Sequence, residues 1–248
     1  YLQKFDDLHL LWRRYCARYI ENGRVVSHDE GGITTSEGQS YAMLRAVWMN
    51  DRETFDQVWQ WTRKNLMVRE DFLFAWKWKD KILDKNAATD ADVDIALALL
   101  LASSRFKQKR YAYEAGRILD DIWNKEVIRV GASYYITGGN WAPGQRYPTI
   151  HVGYLAPHAY AEFARFDTRH PWDSLVSSSY RILHWLYEEK KVVVPPEKIY
   201  LDKKEDVLLF KSPDSDYPHR FSYDVYPLFW RIAMDFQWHN REKSQLRA

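Results

Sequence analysis

Three short segments of this chain hold carboxylates among residues that leave room for a ligand. The first is Thr34-Thr35-Ser36-Glu37-Gly38-Gln39-Ser40-Tyr41-Ala42-Met43, where one acid stands at the start of an apolar helix and Ser36, Gly38 and Ser40 keep its surroundings open. The second is Ala87-Ala88-Thr89-Asp90-Ala91-Asp92-Val93-Asp94, with three acids in five residues. The third, Arg220-Phe221-Ser222-Tyr223-Asp224, sets an acid between aromatics just before the last helix. Two carboxyls flanking a glycosidic bond suffice for its hydrolysis: one protonates the leaving oxygen, the other acts as nucleophile or activates a water. Each acid also has a plain structural use. Thr34-x-x-Glu37 fits a capping box, Thr89 would cap the second helix with Asp92 at its third position, and an Asp before a helix is most often a cap. A helix N-terminus favours a charged carboxylate. Glu37 can therefore serve as an acid only if burial or neighbouring Asp carboxylates raise its pKa. Asp90 and Asp94, four apart, can share a helix face.

The remaining residues must position these groups. The chain has 248 residues, 46% hydrophobic and 28% charged, the composition of a globular domain. A formal net charge of +2 gives no electrostatic footprint for nucleic acid. The 8 His do not cluster at metal-ligand spacing, and His28, His151 and His158 look isolated, so no metal or other cofactor is expected. The single Cys16 rules out an internal disulfide and reads as a small core residue beside Leu8, Leu11, Trp12 and Tyr15. No apolar run is long enough to span a bilayer. The chain begins at Tyr1 with no signal-peptide pattern, as a processed or trimmed piece would. Aromatics are abundant, with 12 Trp, 17 Tyr and 11 Phe. Some must be core, but Trp and Tyr also present flat faces with a polar edge on which sugar rings stack.

Periodicity predicts an amphipathic helix over 4–22, with Phe5, Leu8, Leu11, Trp12, Tyr15 and Tyr19 on one side, ended by Asn22-Gly23. Helices follow at about Ser36–Asn50 and Arg52–Leu66, the latter with Phe55, Val58, Trp59 and Thr62 at helical spacing. Residues 68–88 are irregular and hold Trp76 and Trp78. Further helices are expected at Thr89–Phe106, Tyr111–Glu126, 155–166 and 171–189, with a hairpin and loop over 128–151. Short strands or an irregular excursion occupy 190–218, suggested by Val192-Val193-Val194, Ile199-Tyr200-Leu201 and Val207-Leu208-Leu209-Phe210. The last helix begins near Ser222 and carries Leu228, Phe229, Ile232, Ala233 and Phe236. No Gly-rich phosphate loop, nucleophile elbow or His-Glu-x-x-His motif occurs. With no linker or low-complexity stretch, 1–248 is expected to form a single domain of helical hairpins.

At its three acidic segments the chain resembles glycoside hydrolase family 8, and its bacterial cellulase branch in particular. The segment Thr34 to Met43 looks like the one holding that family's catalytic acid, and Ala88 to Leu100 is similar to the family's signature helix. Phe221-Ser222-Tyr223-Asp224 resembles the segment of the general base, and Val152-Gly153-Tyr154-Leu155-Ala156-Pro157 a weaker block whose tyrosine lines the sugar site. The likeness runs from about residue 20 to 235. It implies an all-α (α/α)6 toroid and an inverting endo-acting cleavage of β-1,4-glucan. Glu37 would then be the acid, Asp224 the base, and Asp90 the residue that holds and distorts the sugar. Trp76 and Trp141 would be stacking platforms, Tyr154 and Tyr223 would line the cleavage point, and Asp92 would bind substrate. It further implies a monomer, secreted or periplasmic, acting on a β-linked polysaccharide, with a bacterial cellulose synthesis system as a plausible setting. Xylan, chitosan and mixed-linkage glucan are alternative substrates, and a catalytically impaired carbohydrate-binding relative is an alternative role.

Two departures stand out. The family's Arg shortly after the base is missing from Asp224-Val225-Tyr226-Pro227, so Arg220 or Arg231 would have to replace it. About eight helices are counted rather than twelve, so the toroid is expected to lack its last helices and to expose apolar surface.

Overall fold

A computed structural model describes residues 2–214 and 220–239, with side chains from Asp7 onward. The Phe5 side chain and residues 215–218 of the expected excursion lie outside the described residues. Contacts within the chain gather into two compact units, Tyr1–Asp121 and Ile122–Ala248.

In the first unit α1 (Leu2–Tyr19) runs into β1 (Ile20–Glu21), which pairs antiparallel with β2 (Arg24–Val25). Asn22-Gly23 is thus the turn of a hairpin rather than a simple helix end. Both residues have positive φ, 52° and 82°, the geometry that favours Asn-Gly in two-residue hairpins. A Cβ on Gly23 would also sit 2.2 Å from the Gln57 carbonyl oxygen. Trp12 is buried as expected and donates its indole N–H to Asp51 at 2.9 Å, whereas Leu8 and Leu11 are exposed.

β3 (Thr34–Thr35) leads directly into α2 (Ser36–Trp48), followed by α3 (Arg52–Asn65). α3 is capped by Asp51, which accepts from the Thr54 N–H at 3.0 Å, and it buries Phe55, Val58, Trp59 and Thr62 as their spacing requires. β4 (Lys77–Lys79) pairs with both β3 and β5 (Lys81–Asp84) in a three-stranded antiparallel sheet. α4 (Thr89–Phe106) is buried without interruption from Thr89 to Leu99, as expected for a helix apolar on every side. It ends on Lys107 in the left-handed region and is followed by α5 (Lys109–Glu126). α2 packs against both α3 and α4.

The second unit opens with the hairpin β6 (Val127–Val130) and β7 (Ser133–Ile136). β8 (Thr149–His151) precedes α6 (Pro157–Phe166) and α7 (Trp172–His184), whose end widens into a π-helical turn at Trp185–Glu189. The excursion then forms β9 (Lys198–Asp202) and β10 (Val207–Leu209) in a sheet of order β10-β9-β8, all antiparallel. Val192 to Val194 form no strand. A 3-10 turn (Tyr223–Val225) leads into α8 (Tyr226–His239). α6 packs on α7 and α8.

α8 turns two charged residues inward. Its fully buried residues include Arg231 and Asp235, while Phe229, Ala233 and Phe236 are exposed. The polar pair, four apart, turns inward together. Asp235 accepts the Tyr180 hydroxyl, and the Arg231 guanidinium lies 5.0 Å from the Trp230 ring centre. Among the described residues there are eight α-helices and only short strands. The all-α class and the irregular excursion, over its described residues 190–214, are therefore as expected.

Candidate active site

In the first unit, Glu37 lies in the opening turn of α2. The cap is Thr35, whose Oγ1 accepts from the Gly38 N–H at 3.0 Å. Glu37 is then the second helical residue, so the Thr34 capping box is not formed. Thr34 is spent elsewhere, donating to the Val25 carbonyl at 2.7 Å and accepting from Arg24 Nε at 2.9 Å. Gln39, fully buried, fixes the turn to α3 through a 2.7 Å bond to Thr62 Oγ1 and to the hairpin through the Gly23 carbonyl at 3.1 Å. The half-buried Glu37 accepts from the Tyr41 hydroxyl at 2.8 Å, across one helical turn.

Two backbone bonds tie α2 to α4 at their starts. The Ser36 N–H donates to the Trp76 carbonyl at 3.0 Å, and the Trp76 N–H donates to the Asn86 carbonyl at 2.9 Å. Asn86 lies three residues before α4. With α2 packed along α4, Glu37, Trp76 and Asp90 are thereby carried to one edge of this unit. The indole N–H of half-buried Trp76 is held by Asp84, a bond that also lowers the Asp84 pKa.

Ala88, with extended backbone and no side-chain cap, precedes α4, so Thr89 is its first residue and not its cap. Asp90, Asp92 and Asp94 are all buried. Asp92 Oδ1 accepts from the Phe74 N–H at 3.0 Å, which anchors the segment that leads to Trp76.

In the second unit, Asp224 lies in the 3-10 turn, its N–H donating to Ser222 Oγ at 3.3 Å. Gly153 packs directly beneath it: a Cβ there would come within 1.7 Å of the Asp224 carbonyl oxygen. Tyr154 stacks on His151 with ring centres 4.6 Å apart, and Trp141 meets His151 edge-on at 6.4 Å. Ligating atoms of His151, Glu197 and Asp224 lie within 4.8 Å of one another. Trp141, Tyr154 and Asp224 are thus brought together, with the exposed Tyr223 adjacent.

The charges here are balanced. Buried Glu197 pairs with Arg220 Nε at 3.2 Å. The Asp224 pKa is raised, first by desolvation of the carboxyl and then by the Glu197 carboxylate, against the opposing pull of Arg220 and Lys198. His151 is pushed down to about 4 by burial and then by Lys198, which leaves it neutral. Three such groups could accept a cation, but Arg220 and Lys198 already supply positive charge against both carboxylates. Cys16 is no nucleophile, since burial and Asp51 push its thiol up to about 11.

The partner expected to replace the missing Arg is Arg220, since Arg231 is buried within α8. Sequence reasoning missed Tyr41, Glu197, Lys198 and the part played by His151, which is not isolated. The four-residue spacing from Glu37 could have singled out Tyr41. Glu197, in an irregular stretch after Pro195-Pro196, carries no such signal.

A family model described as "Glycosyl hydrolases family 8" matches residues 8–248. An endoglucanase of Cellulomonas uda is 30% identical over 92% of this chain and 62% of its own length. The endoglucanase of Escherichia coli (strain K12) is 35% identical over 69% of this chain and 50% of its own. The chain thus spans between half and two thirds of these two relatives. Among solved structures, the endo-β-1,4-glucanase CMCax from Acetobacter xylinum matches with a TM-score of 0.81 and 27% identity, covering 95% of this chain and 73% of that one. Endoglucanase Cel10 from Klebsiella pneumoniae gives 0.81 and 28%, covering 94% and 78%.

Proposed function

The chain belongs to glycosyl hydrolase family 8, and from that premise we propose that it is an endo-acting, inverting hydrolase of β-1,4-glucan with Glu37 as general acid and Asp224 as general base. The observation that carries this reading is that the two family-like acids have built settings. Glu37 is seated by the Thr35 cap, Gln39 and the Tyr41 hydroxyl, while Asp224 rests on Gly153 with its carboxyl pKa raised. A base whose pKa is shifted toward the working pH takes a proton more readily in the transition state.

On this reading Glu37 gives its proton to the glycosidic oxygen while Asp224 removes one from a water on the opposite face of the sugar. An inverting pair stands about 6.5–9.5 Å apart to admit that water. Asp90 holds the sugar at the cleavage point. Trp76, its indole fixed by Asp84, stacks on a sugar ring, and Tyr154, Tyr223 and Trp141 contact the sugar near Asp224. Asp92 contributes by holding the Phe74–Trp76 segment. The acid roles come from the resemblance. The preference for glucan is supported by the printed names of the relatives, which are endoglucanases.

No helix among the described residues is long and apolar enough to cross a membrane. We place the enzyme outside the cytoplasm, secreted or periplasmic, where an insoluble glucan is reached, and a bacterial cellulose-making system is the setting that fits such a polymer. The test is the release of reducing ends from carboxymethyl cellulose, xylan, chitosan and mixed-linkage glucan by the parent and by Glu37→Gln. Release is expected chiefly from the cellulose derivative and to be lost in the variant. Parental activity in Glu37→Gln would refute the acid, and preferential cleavage of xylan or chitosan would refute the substrate.

A further inference from the structure

We propose that Glu197 is a positioning residue for Asp224, its buried carboxylate clamped by Arg220 and set against the carboxylate read above as the general base. The inference rests on that reading and assigns the control of the base to residues far from it in sequence.

Two backbone bonds and one strand pairing lay the relevant segments side by side. The Val152 N–H donates to the Glu197 carbonyl at 3.0 Å, the Glu197 N–H donates to the Arg220 carbonyl at 2.8 Å, and β8 pairs His151 with Lys198. Gly153 then meets Asp224 so closely that no Cβ fits between them. This lattice fixes the Glu197 and Asp224 carboxylates with a ligating atom of each inside the same 4.8 Å group as His151.

A like charge at that range favours the protonated form of one partner, and neighbouring cations decide which. Arg220 Nε bonds Glu197 at 3.2 Å, and the Asp224 pKa is raised first by desolvation of its carboxyl and then by the Glu197 carboxylate. The other titratable groups near Asp224 are Lys198 beside Glu197, neutral His151 in the same 4.8 Å group with Tyr154 stacked on it, Tyr223 on its own turn, and Tyr226 against Tyr223. Glu197 raises the proton affinity of Asp224 while Arg220 and Lys198 lower it. The resemblance implies an Arg just after the base; here Arg220 and Lys198 supply the positive charge beside Asp224 and Glu197 works against it.

The test is a carbon-13 NMR titration of the Asp224 side chain in the whole chain, run beside the pH profile of glucan hydrolysis. In the parent, the Asp224 midpoint should lie above the ordinary 3.8. In Glu197→Gln it should move to lower pH, because the like charge is gone and Arg220 and Lys198 are then opposed by desolvation alone. In Lys198→Gln it should move the other way. The base works only when ionised, so activity is lost as pH falls through this midpoint, and the acid limb of the rate profile should follow in both variants. The rate loss in Glu197→Gln should be smaller than the ~10²–10⁴-fold expected on removing the base in Asp224→Asn. A purely structural Glu197 would lower activity without moving the limb. An unchanged midpoint in Glu197→Gln overturns the proposal. If that variant fails to fold, an unchanged midpoint in Lys198→Gln does so. Parental hydrolysis by Asp224→Asn would instead overturn the reading of Asp224 as the base and leave the titration as a separate result.

Discussion

Replacing Gly153 with Ala is the sharpest perturbation the fold offers. Its new methyl would lie 1.7 Å from the Asp224 carbonyl oxygen, 2.8 Å from the carbonyl carbon and 3.1 Å from Val225 Cα. Ordinary contact begins at 3.4 Å. All three obstacles are backbone, so no side-chain rotation relieves the clash, and the turn bearing Asp224 must move by more than ~1 Å. A misplacement of about 1 Å at a catalytic group costs on the order of 10²-fold in rate, equivalent to ~2.7 kcal/mol of barrier. Overpacking of this kind also destabilises by roughly 1–3 kcal/mol. The assay is kcat and KM on carboxymethyl cellulose, with thermal unfolding followed in parallel. Gly144→Ala, where a Cβ meets nothing within 4 Å, is the matched control and should behave as the parent. The expected result is a ~10²-fold loss of kcat in Gly153→Ala with a modest rise in KM. A folded Gly153→Ala with parental kcat would refute both the role of Asp224 and the idea that Gly153 seats it.

Tyr41→Phe removes the 2.8 Å hydrogen bond to Glu37, and since bonds to a charged group are worth ~1.5–3 kcal/mol, steady-state kinetics should show a loss of about 10-fold or more in kcat. Trp76→Ala should raise KM for long glucans, and Asp84→Ala, which frees the indole N–H, should do the same to a smaller degree. Asp92→Ala strands the buried Phe74 N–H and should lower stability by ~1–3 kcal/mol in urea titration. Burial alone would raise the Asp167 pKa, but hydrogen bonds from His170, Trp172 and Arg169 bring it down to about 2. A lowered folded-state pKa stabilises above the unfolded value and is lost as pH falls. The parent should therefore lose roughly 2 kcal/mol between about pH 4 and pH 2 that Asp167→Asn does not lose, measured by denaturation across pH.

Legibility in the sequence tracked how local each determinant is. α3 and α4 were readable because their apolar spacing and their burial coincide, from Phe55 to Thr62 and from Thr89 to Leu99. Caps were misplaced by one residue at both α2 and α4, because adjacent Thr34-Thr35 and Ala88-Thr89 offer near-equivalent starts that only the pairing of β3 with β4 and the packing of α4 resolve. The inward face of α8 was not readable from its apolar residues. Arg231 and Asp235 turn inward together while Phe229 and Phe236 face out. The acids themselves stood out as motifs. The group that tunes Asp224 did not, since Glu197 and Lys198 reach it only through the β8–β9 register and the bond from Glu197 to Arg220. Residues joined by strand pairing over tens of positions leave no periodic mark.

The stereochemistry of cleavage tests the central claim most directly. Proton NMR of freshly released product from a defined cello-oligosaccharide reads its anomeric form before mutarotation. With Glu37 as acid and Asp224 as base acting on a water, the first product formed is the α-anomer, and neither Glu37→Gln nor Asp224→Asn forms it at an appreciable rate. A β-anomer as first product, or parental cleavage by either variant, would contradict the account.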